Sequence, residues 1–257
     1  MIPEQRRQTL IRTIFSQGGA TIKDLSERYD VSEMTIRRDL RQLAKEGQIR
    51  ITHGGAVPAS VKKGSEQLYS LKEPINREAK STIAKYAAEH FVNDNDVIIL
   101  DPGTTAVHML PHLKTRAGLT IVTNGLQTIN MIRELLPQVN LICTGGMLRG
   151  VSHTFVGPTA EAYFDGFFAT RYFVSSVGVT LGEGLTDPQM LDTQVKKAML
   201  KSANETIALV DSSKFGVRST VKVAAFADLH AVVTDSELDS EAVTDLTELV
   251  DIRIAAG

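Results

Sequence analysis

The chain has 257 residues, of which 42% are hydrophobic and 23% charged, with no Trp and no low-complexity tract. That is the make-up of a soluble globular protein with room for two domains. No apolar run approaches the ~18 residues needed to cross a bilayer, and the opening MIPEQRRQTL lacks the apolar core of a signal peptide, so a cytoplasmic location with no membrane partner is expected. A single cysteine, Cys143, excludes an internal disulfide framework and a Cys-cluster zinc site. The net charge of -2 conceals an asymmetry: 12 Lys and Arg against 7 Asp and Glu through residue 63, a net of +5, then 16 against 23, a net of -7. A basic front end on an acidic body predicts two domains with different partners.

Residues 4–15 carry Leu10, Ile11 and Ile14 at helical spacing and run to Gly18-Gly19, which predicts a first helix. Thr21, with Asp24 three positions later, is a weak capping pattern opening a second short helix with Ile22 and Leu25 inward. Tyr29-Asp30-Val31 predicts a tight turn, and Ser32 is placed as the N-cap of a third helix. There Ile36, Leu40 and Leu43 recur at i, i+4 and i+7. The opposite side holds Thr35, Arg38, Arg41, Gln42 and Lys45, with Arg37 on its flank. Gly47 ends this helix, residues 48–52 alternate around Ile49 and Ile51, and a return strand is expected from Ala56 after His53-Gly54-Gly55.

One basic helix by itself is usually a solvated face. Three short helices, a tight turn and a basic hairpin with Arg50 and His53 predict instead a winged helix-turn-helix, whose second helix lies in the DNA major groove. The candidate DNA contacts are Ser32, Thr35, Arg37, Arg38, Arg41, Gln42, Lys45, Arg50 and His53. Asp39 is expected to pair with one of the neighbouring arginines, because its charge repels phosphate.

The run Ser32-x-x-Thr35-Ile36-Arg37-Arg38-Asp39-Leu40, followed by Leu43, Gly47, Ile49, Arg50 and His53-Gly54-Gly55-Ala56, resembles the DNA-binding signature of the DeoR family of bacterial transcriptional regulators. The resemblance implies that residues 32–46 are the recognition helix and residues 48–55 its wing.

Residues 57–76 hold two prolines, a glycine, three lysines and three serines with no clear period, which predicts an extended connection. The expected division is a winged helix-turn-helix domain over residues 1–57, a linker over 58–75, and an α/β effector and oligomerisation domain over 76–257. From Arg77 a helical pattern resumes with Ile83, Ala84, Ala87 and Phe91.

Val97-Ile98-Ile99-Leu100 is an apolar run typical of a strand buried on both faces. Further strands are expected at residues 119–122, 139–144, 172–177, 206–210, 230–234 and 250–254, with helices at 105–113 and 126–136. Such alternation predicts an α/β domain with a mostly parallel sheet, whose ligands sit beyond the carboxyl ends of the strands. Those ends read Asp101-Pro102-Gly103-Thr104-Thr105, Thr123-Asn124-Gly125, Gly145-Gly146 and Asp211-Ser212-Ser213-Lys214-Phe215-Gly216. In the first, Gly103 permits close backbone approach, two threonine hydroxyls follow and a helix begins, making a phosphate cradle without the Walker spacing. Lys214 is placed to add a point charge, with Arg149 a weaker candidate. Turn chemistry alone explains any one such loop. Four at one sheet edge favour a polyanion or polyol site, with Asp101, Gly103, Thr104, Thr105, Thr123, Asn124, Gly145, Gly146, Arg149 and Lys214 as candidate effector contacts.

These loops are similar to the effector domain of DeoR regulators, which itself resembles the fold of ribose-5-phosphate isomerase. The resemblance implies a phosphorylated sugar or related metabolite as effector. The chain departs from the familiar Thr-Asn-Asn pattern at Gly125.

The rival is a sugar-phosphate isomerase carrying a DNA-binding appendage. Isomerisation needs a carboxylate base. The acidic Asp-Gly-Ala-Asp-Glu segment of those isomerases corresponds here to Ser175-Ser176-Val177-Gly178-Val179, which has no acid, although Glu183, Asp187 and Asp192 are near in sequence. No catalytic residue and no cofactor is therefore expected. His108 and His112, at i and i+4, lack a third ligand, so no metal is expected either. Cys143 is expected in the core. One small winged domain contacts too little DNA for tight specific binding, so at least a homodimer is expected, and the resemblance implies a homotetramer. The resulting expectation is a repressor bound to double-stranded operator DNA of a carbohydrate catabolic operon and released by a phosphorylated sugar; an activator using the same sensor is the alternative.

Overall fold

The computed structural model describes residues 2–16, 19–59 and 64–256. The expected helix stop at Gly18 and residues 60–63 of the expected connection lie outside these. The chain divides into two units, Met1–Lys62 with Gln67–Arg77, and Lys63–Glu66 with Glu78–Gly257.

In the first unit, α1 (Pro3–Ser16), β1 (Ala20–Thr21), α2 (Ile22–Tyr29), α3 (Glu33–Lys45), β2 (Ile49–Ile51) and β3 (Gly55–Pro58) follow in order. The three strands form an antiparallel sheet in the order β1–β3–β2. Leu10, Ile11, Ile14, Leu25, Ile36, Leu40 and Leu43 are all fully buried where the helices meet, each stabilising the unit by about 1.5–3 kcal/mol. Thr21 caps α2 by accepting from the Asp24 amide at 3.1 Å, and Ser32 caps α3 by accepting from that of Thr35 at 3.3 Å. Between the two helices Asp30 takes a left-handed conformation, φ 50°, which turns the chain sharply enough to set α3 across α2. Within the segment expected as connection, Tyr69–Lys72 forms a helical turn, α4, whose Leu71 is buried in the same core.

Asp39 behaves differently from expectation. It sits on the inner flank of α3, 2% exposed, and its Oδ2 accepts from Nε of Arg6 on α1 at 2.6 Å. Arg38 and Arg41 leave α3 on its exposed side, so the partner comes from across the core.

The second unit contains α5 (Arg77–Phe91), β4 (Val97–Leu100), α6 (Thr104–Val107), β5 (Thr120–Thr123), α7 (Leu126–Leu135), β6 (Asn140–Cys143), β7 (Met147–Arg149), β8 (Thr154–Val156), α8 (Pro158–Ala162), β9 (Ala169–Val174), β10 (Gly178–Thr180), β11 (Gly184–Asp187), α9 (Met190–Lys201), β12 (Ala203–Leu209), β13 (Val221–Ala224), β14 (Ala231–Asp235), α10 (Ser240–Thr247) and β15 (Asp251–Ala255). Seven of these strands form one sheet in the order β15–β14–β12–β9–β4–β5–β6, parallel at every pairing. Ile98, Leu100, Ile121, Phe173, Ile207 and Leu209 share one core with Ile83 and Ala87 of α5 and Ile132 of α7. The alternate residues Ile99, Val122, Tyr172, Val174, Ala208 and Val210 share the other with Val195 and Met199 of α9 and Leu246 of α10. Both faces are covered, which is why the central strand β4 reads as an unbroken apolar run.

Three features differ from the sequence reading. The helix expected over 105–113 is α6 followed by a 3-10 turn at Leu110–Leu113, because Pro111 supplies no N–H to continue the α-helical ladder. Cys143 is exposed rather than in the core, since β6 is the edge strand of the sheet. The hairpin β7–β8 and the small sheet β10–β11–β13 have no counterpart among the expected strands. Their strands are short and interrupted by glycines such as Gly184, which holds φ 77° and whose added Cβ would fall 2.3 Å from the Ala224 carbonyl oxygen.

Replacing Asp39 by Ala removes the buried carboxylate that faces the Arg6 guanidinium. Urea unfolding should show a loss of about 3–5 kcal/mol; a loss below about 1 kcal/mol would mean that α1 and α3 are joined by apolar packing alone.

Candidate nucleic-acid interface and effector site

On α3 the cap, the buried stripe and the basic side are set by one periodicity. Arg37, Arg38, Arg41, Gln42 and Lys45 are exposed, as are Ser32 at the cap and Arg50 and His53 on the wing, while Thr35 is half-buried. Ser32 and Thr35 are engaged with each other, their hydroxyls 3.0 Å apart. Arg37 faces Glu33 at 3.4 Å and Gln42 donates to Glu46 at 2.6 Å. Arg38, Arg41 and Lys45 form no ion pair among the described residues, so their charges stand toward solvent, where they suit phosphate and base edges.

In the second unit, β12, β9, β4, β5 and β6 are consecutive neighbours in the sheet and run parallel. The loops that follow them therefore leave from one edge, in the order 211–216, 175–177, 101–105, 123–125 and 144–146. Lys214 follows β12 and Arg149 follows β6, strands on opposite sides of β4 in the sheet.

The centre of that edge is a buried charge cluster. Asp101 is fully buried, and its Oδ2 accepts from the Ser175 hydroxyl at 2.6 Å and the Gly103 amide at 3.0 Å. Its Oδ1 accepts from the Tyr172 hydroxyl at 3.2 Å and lies 3.2 Å from Nζ of Lys196. That ammonium also reaches Asp187 Oδ2 at 2.7 Å and the Ser175 carbonyl at 2.6 Å. Burial pulls Lys196 toward deprotonation, but the carboxylates of Asp101 and Asp187 outweigh it and raise its pKa above the ordinary lysine value. Tyr172 is likewise pushed up, first by burial and then by Asp101, and remains a phenol that donates.

This cluster shapes the β4 loop. A Cβ on Gly103 would lie 1.8 Å from Oγ of Ser175, so only glycine lets the loop close over it. Thr104 and Thr105 follow with side chains 8% and 6% exposed. The amides of Thr104, Thr105 and Ala106, in the first turn of α6, have no intrahelical acceptor. At β5, the Thr123 hydroxyl accepts from the Gly125 amide at 3.2 Å. Asn124, 2% exposed, donates Nδ2 to the Phe155 carbonyl at 2.8 Å, whereas its Oδ1 is buried without a partner among the described residues. No side chain fits at position 125, where a Cβ would be 2.7 Å from Pro102. At β6, Gly145 and Gly146 hold φ 67° and 111°. Lys214 is half-buried at the end of a 3-10 turn and forms no ion pair among the described residues.

Arg149 is held on both sides. It pairs with Asp192 of α9 and, at 2.9 Å, with Glu66. Asp192 thus faces a guanidinium and Asp187 an ammonium, while Glu183 pairs with Arg218 at 2.9 Å; none of the three is poised as a free base. A cavity of about 400 Å³ lies against the far end of the 211–216 loop, lined by Val179, Leu181, Phe215, Asp239, Asp245 and Leu246. Among the described residues no group of His, Cys, Asp or Glu forms a metal site and no helix is long and apolar enough to cross a membrane.

Lys196, Tyr172 and Glu66 were not singled out in the sequence, and Asp187 was named there only as an acid near the absent base. Lys196 alone left a trace: with Thr193 and Met199 it falls at helical spacing on the buried face of α9, where a lysine is out of place unless paired.

Lys196→Met leaves Asp101 and Asp187 buried and unpaired, and should cost about 3–5 kcal/mol in chemical unfolding at pH 7. Because the folded pKa of Lys196 is raised, the stabilisation is whole below the unfolded lysine value of about 10.4 and is lost only as pH rises through the folded pKa. A wild-type-like stability of the variant, or a deficit confined to acid pH, would contradict this assignment.

Residues 6–62 match the DeoR-like helix-turn-helix domain and residues 75–236 the DeoR C terminal sensor domain. The chain is similar to the HTH-type transcriptional regulator IolR of Bacillus subtilis, 33% identical over 92% of both chains. It is also similar to the lactose phosphotransferase system repressor of Lactococcus lactis, 29% identical over 98% of both. Among solved structures it is similar to the ribose 5-phosphate isomerase A of Methanocaldococcus jannaschii, with 21% identity and a TM-score of 0.41 over 55% of each chain, a likeness that transfers no residue roles. The two domain matches and the full-length relatives establish a regulator rather than an enzyme: the chain belongs to the DeoR family of helix-turn-helix transcriptional regulators.

Proposed function

We propose that the protein represses a carbohydrate catabolic operon and is released from its operator by a phosphorylated sugar. The basic side of α3 enters the major groove, with Arg38 and Arg41 toward base edges and Lys45, Arg50 and His53 toward phosphate. Ser32 and Thr35 order the helix start beside them, and Arg37 and Gln42 flank the contact. Two copies are required to span a two-fold operator, so the working unit is a homodimer or a larger homo-oligomer in the cytoplasm. The sugar phosphate lies across the loops after β12, β4, β5 and β6. The β4 loop and the first-turn amides of α6 face its anion, and Lys214 or Arg149 adds the positive charge.

The observation that carries this reading is Oδ1 of Asn124, in the loop after β5, a buried acceptor with no partner among the described residues. An orphaned buried acceptor costs about 1–3 kcal/mol, and a ligand hydroxyl is the group that would satisfy it. Repression of a sugar operon is further supported by the name of the lactose phosphotransferase system repressor, a relative along nearly its full length.

Operator binding measured by fluorescence anisotropy tests the first half. Arg38→Ala should weaken it by about 1–3 kcal/mol with relaxed sequence preference, and Lys45→Ala should lower the salt slope by about 1; unchanged affinity in both would remove α3 from the DNA. The second half is tested by adding a panel of phosphorylated sugars. One of them should raise the melting temperature and dissociate the operator complex, and Asn124→Leu should abolish that response while leaving operator affinity intact. A full response from the variant would place the ligand elsewhere.

A further inference from the structure

The segment Gly64–Glu66 belongs to the sensor unit although it lies in sequence directly between two stretches of the DNA-binding unit. Contacts on either side of Ser65 pin it there. The Ser219 hydroxyl donates to the Gly64 carbonyl, at a glycine whose φ is 83° and whose added Cβ would lie 2.7 Å from the Arg218 carbonyl oxygen. Glu66 Oε1 lies 2.9 Å from Nη2 of Arg149, in a pair whose side chains are 19% and 15% exposed.

Arg149 is mounted on the candidate sensor loops. It is the register partner of Thr154 across the β7–β8 hairpin. That hairpin is bonded to the end of β5 through the Phe155 amide to the Asn124 carbonyl at 2.7 Å, the Leu126 amide to the His153 carbonyl at 2.8 Å, and a Gly125–Thr154 bridge. The other carboxylate on Arg149, Asp192, also accepts from the Thr154 hydroxyl. It stands one helical turn before Lys196 on α9, the residue that holds Asp101.

These positions give the two carboxylates on Arg149 unequal anchoring. Asp192 is fixed by a helix and a hydroxyl, whereas Glu66 is carried by a short segment. Lys196 is closed to an incoming anion, because both carboxylates that hold it are themselves buried, whereas Glu66 on Arg149 is 19% exposed. We propose that Glu66–Arg149 is a latch: the anionic group of the effector takes Arg149 from Glu66, and the freed Gly64–Glu66 segment passes the signal into Gln67 and the DNA-binding unit. This deepens, and rests on, the reading of the sheet edge as an anion sensor. Thermodynamic reciprocity fixes the sign, since whatever the anion displaces must oppose its binding. Removing the charge of Glu66 therefore tightens anion binding, whereas a merely structural ion pair would leave it unchanged or weaken it.

The test uses inorganic phosphate at constant ionic strength, with chloride as the control, on the full chain. Hydrogen exchange should show phosphate protecting the amides of residues 103–106 while accelerating exchange at 64–68. Glu66→Gln should exchange fast at 64–68 without phosphate, and should bind phosphate at least about 5-fold more tightly than wild type. Protection at 103–106 with no change at 64–68, or equal affinity in the variant, overturns the latch and leaves the sensor reading standing. Absence of any phosphate effect at 103–106 overturns the sensor reading and the latch with it. The wild-type exchange measurement decides the matter even if the variant does not fold.

Discussion

The sensor unit is organised around a lysine that has no contact with bulk water to speak of. Lys196 joins Asp101 at the end of β4, the Ser175 carbonyl at the end of β9 and Asp187 at the end of β11. Three chain ends that would otherwise diverge are drawn to one ammonium group. The cost of burying such charges is recovered only because each oxygen of Asp101 has its own donors. The cluster is buried and its groups are engaged with one another, so it positions the neighbouring loop.

The two units use their cations in opposite ways. In the sensor unit Lys196 and Arg149 each face two carboxylates, and so does Arg171, which is 2.8 Å from Asp96 and 2.7 Å from Glu205. In the DNA-binding unit the buried Arg6 is paired, but Arg38, Arg41 and Lys45 on the outer side of α3 form no ion pair among the described residues. Charges already neutralised by the protein release few counterions on meeting DNA. The unpaired set is therefore the one suited to a nucleic acid, and the paired sets suit a body whose charges exchange partners.

Local pattern made much of this legible. The seven strands of the parallel sheet were readable because each carries apolar residues between polar segments, and α3 because its cap, apolar stripe and basic side agree on one period. Asp39, Lys196 and Glu66 were not, since their partners lie 33, 95 and 83 positions away in Arg6, Asp101 and Arg149, and no local rule connects such pairs. Cys143 was misread for a related reason: an edge strand has the same apolar composition as its neighbours, and only the strand order exposes it. Position 125 shows the reverse case, where a departure from the family pattern has a local steric cause in Pro102.

A crystal structure of the full chain with a phosphorylated sugar that dissociates the operator complex addresses the central claim most directly. The sugar should lie across the carboxyl ends of β4, β5 and β6, with a hydroxyl donating to Asn124 Oδ1 and its phosphate within hydrogen-bonding reach of Arg149. A ligand seated instead in the cavity lined by Val179, Phe215 and Leu246, with Asn124 Oδ1 still unpartnered, would contradict it.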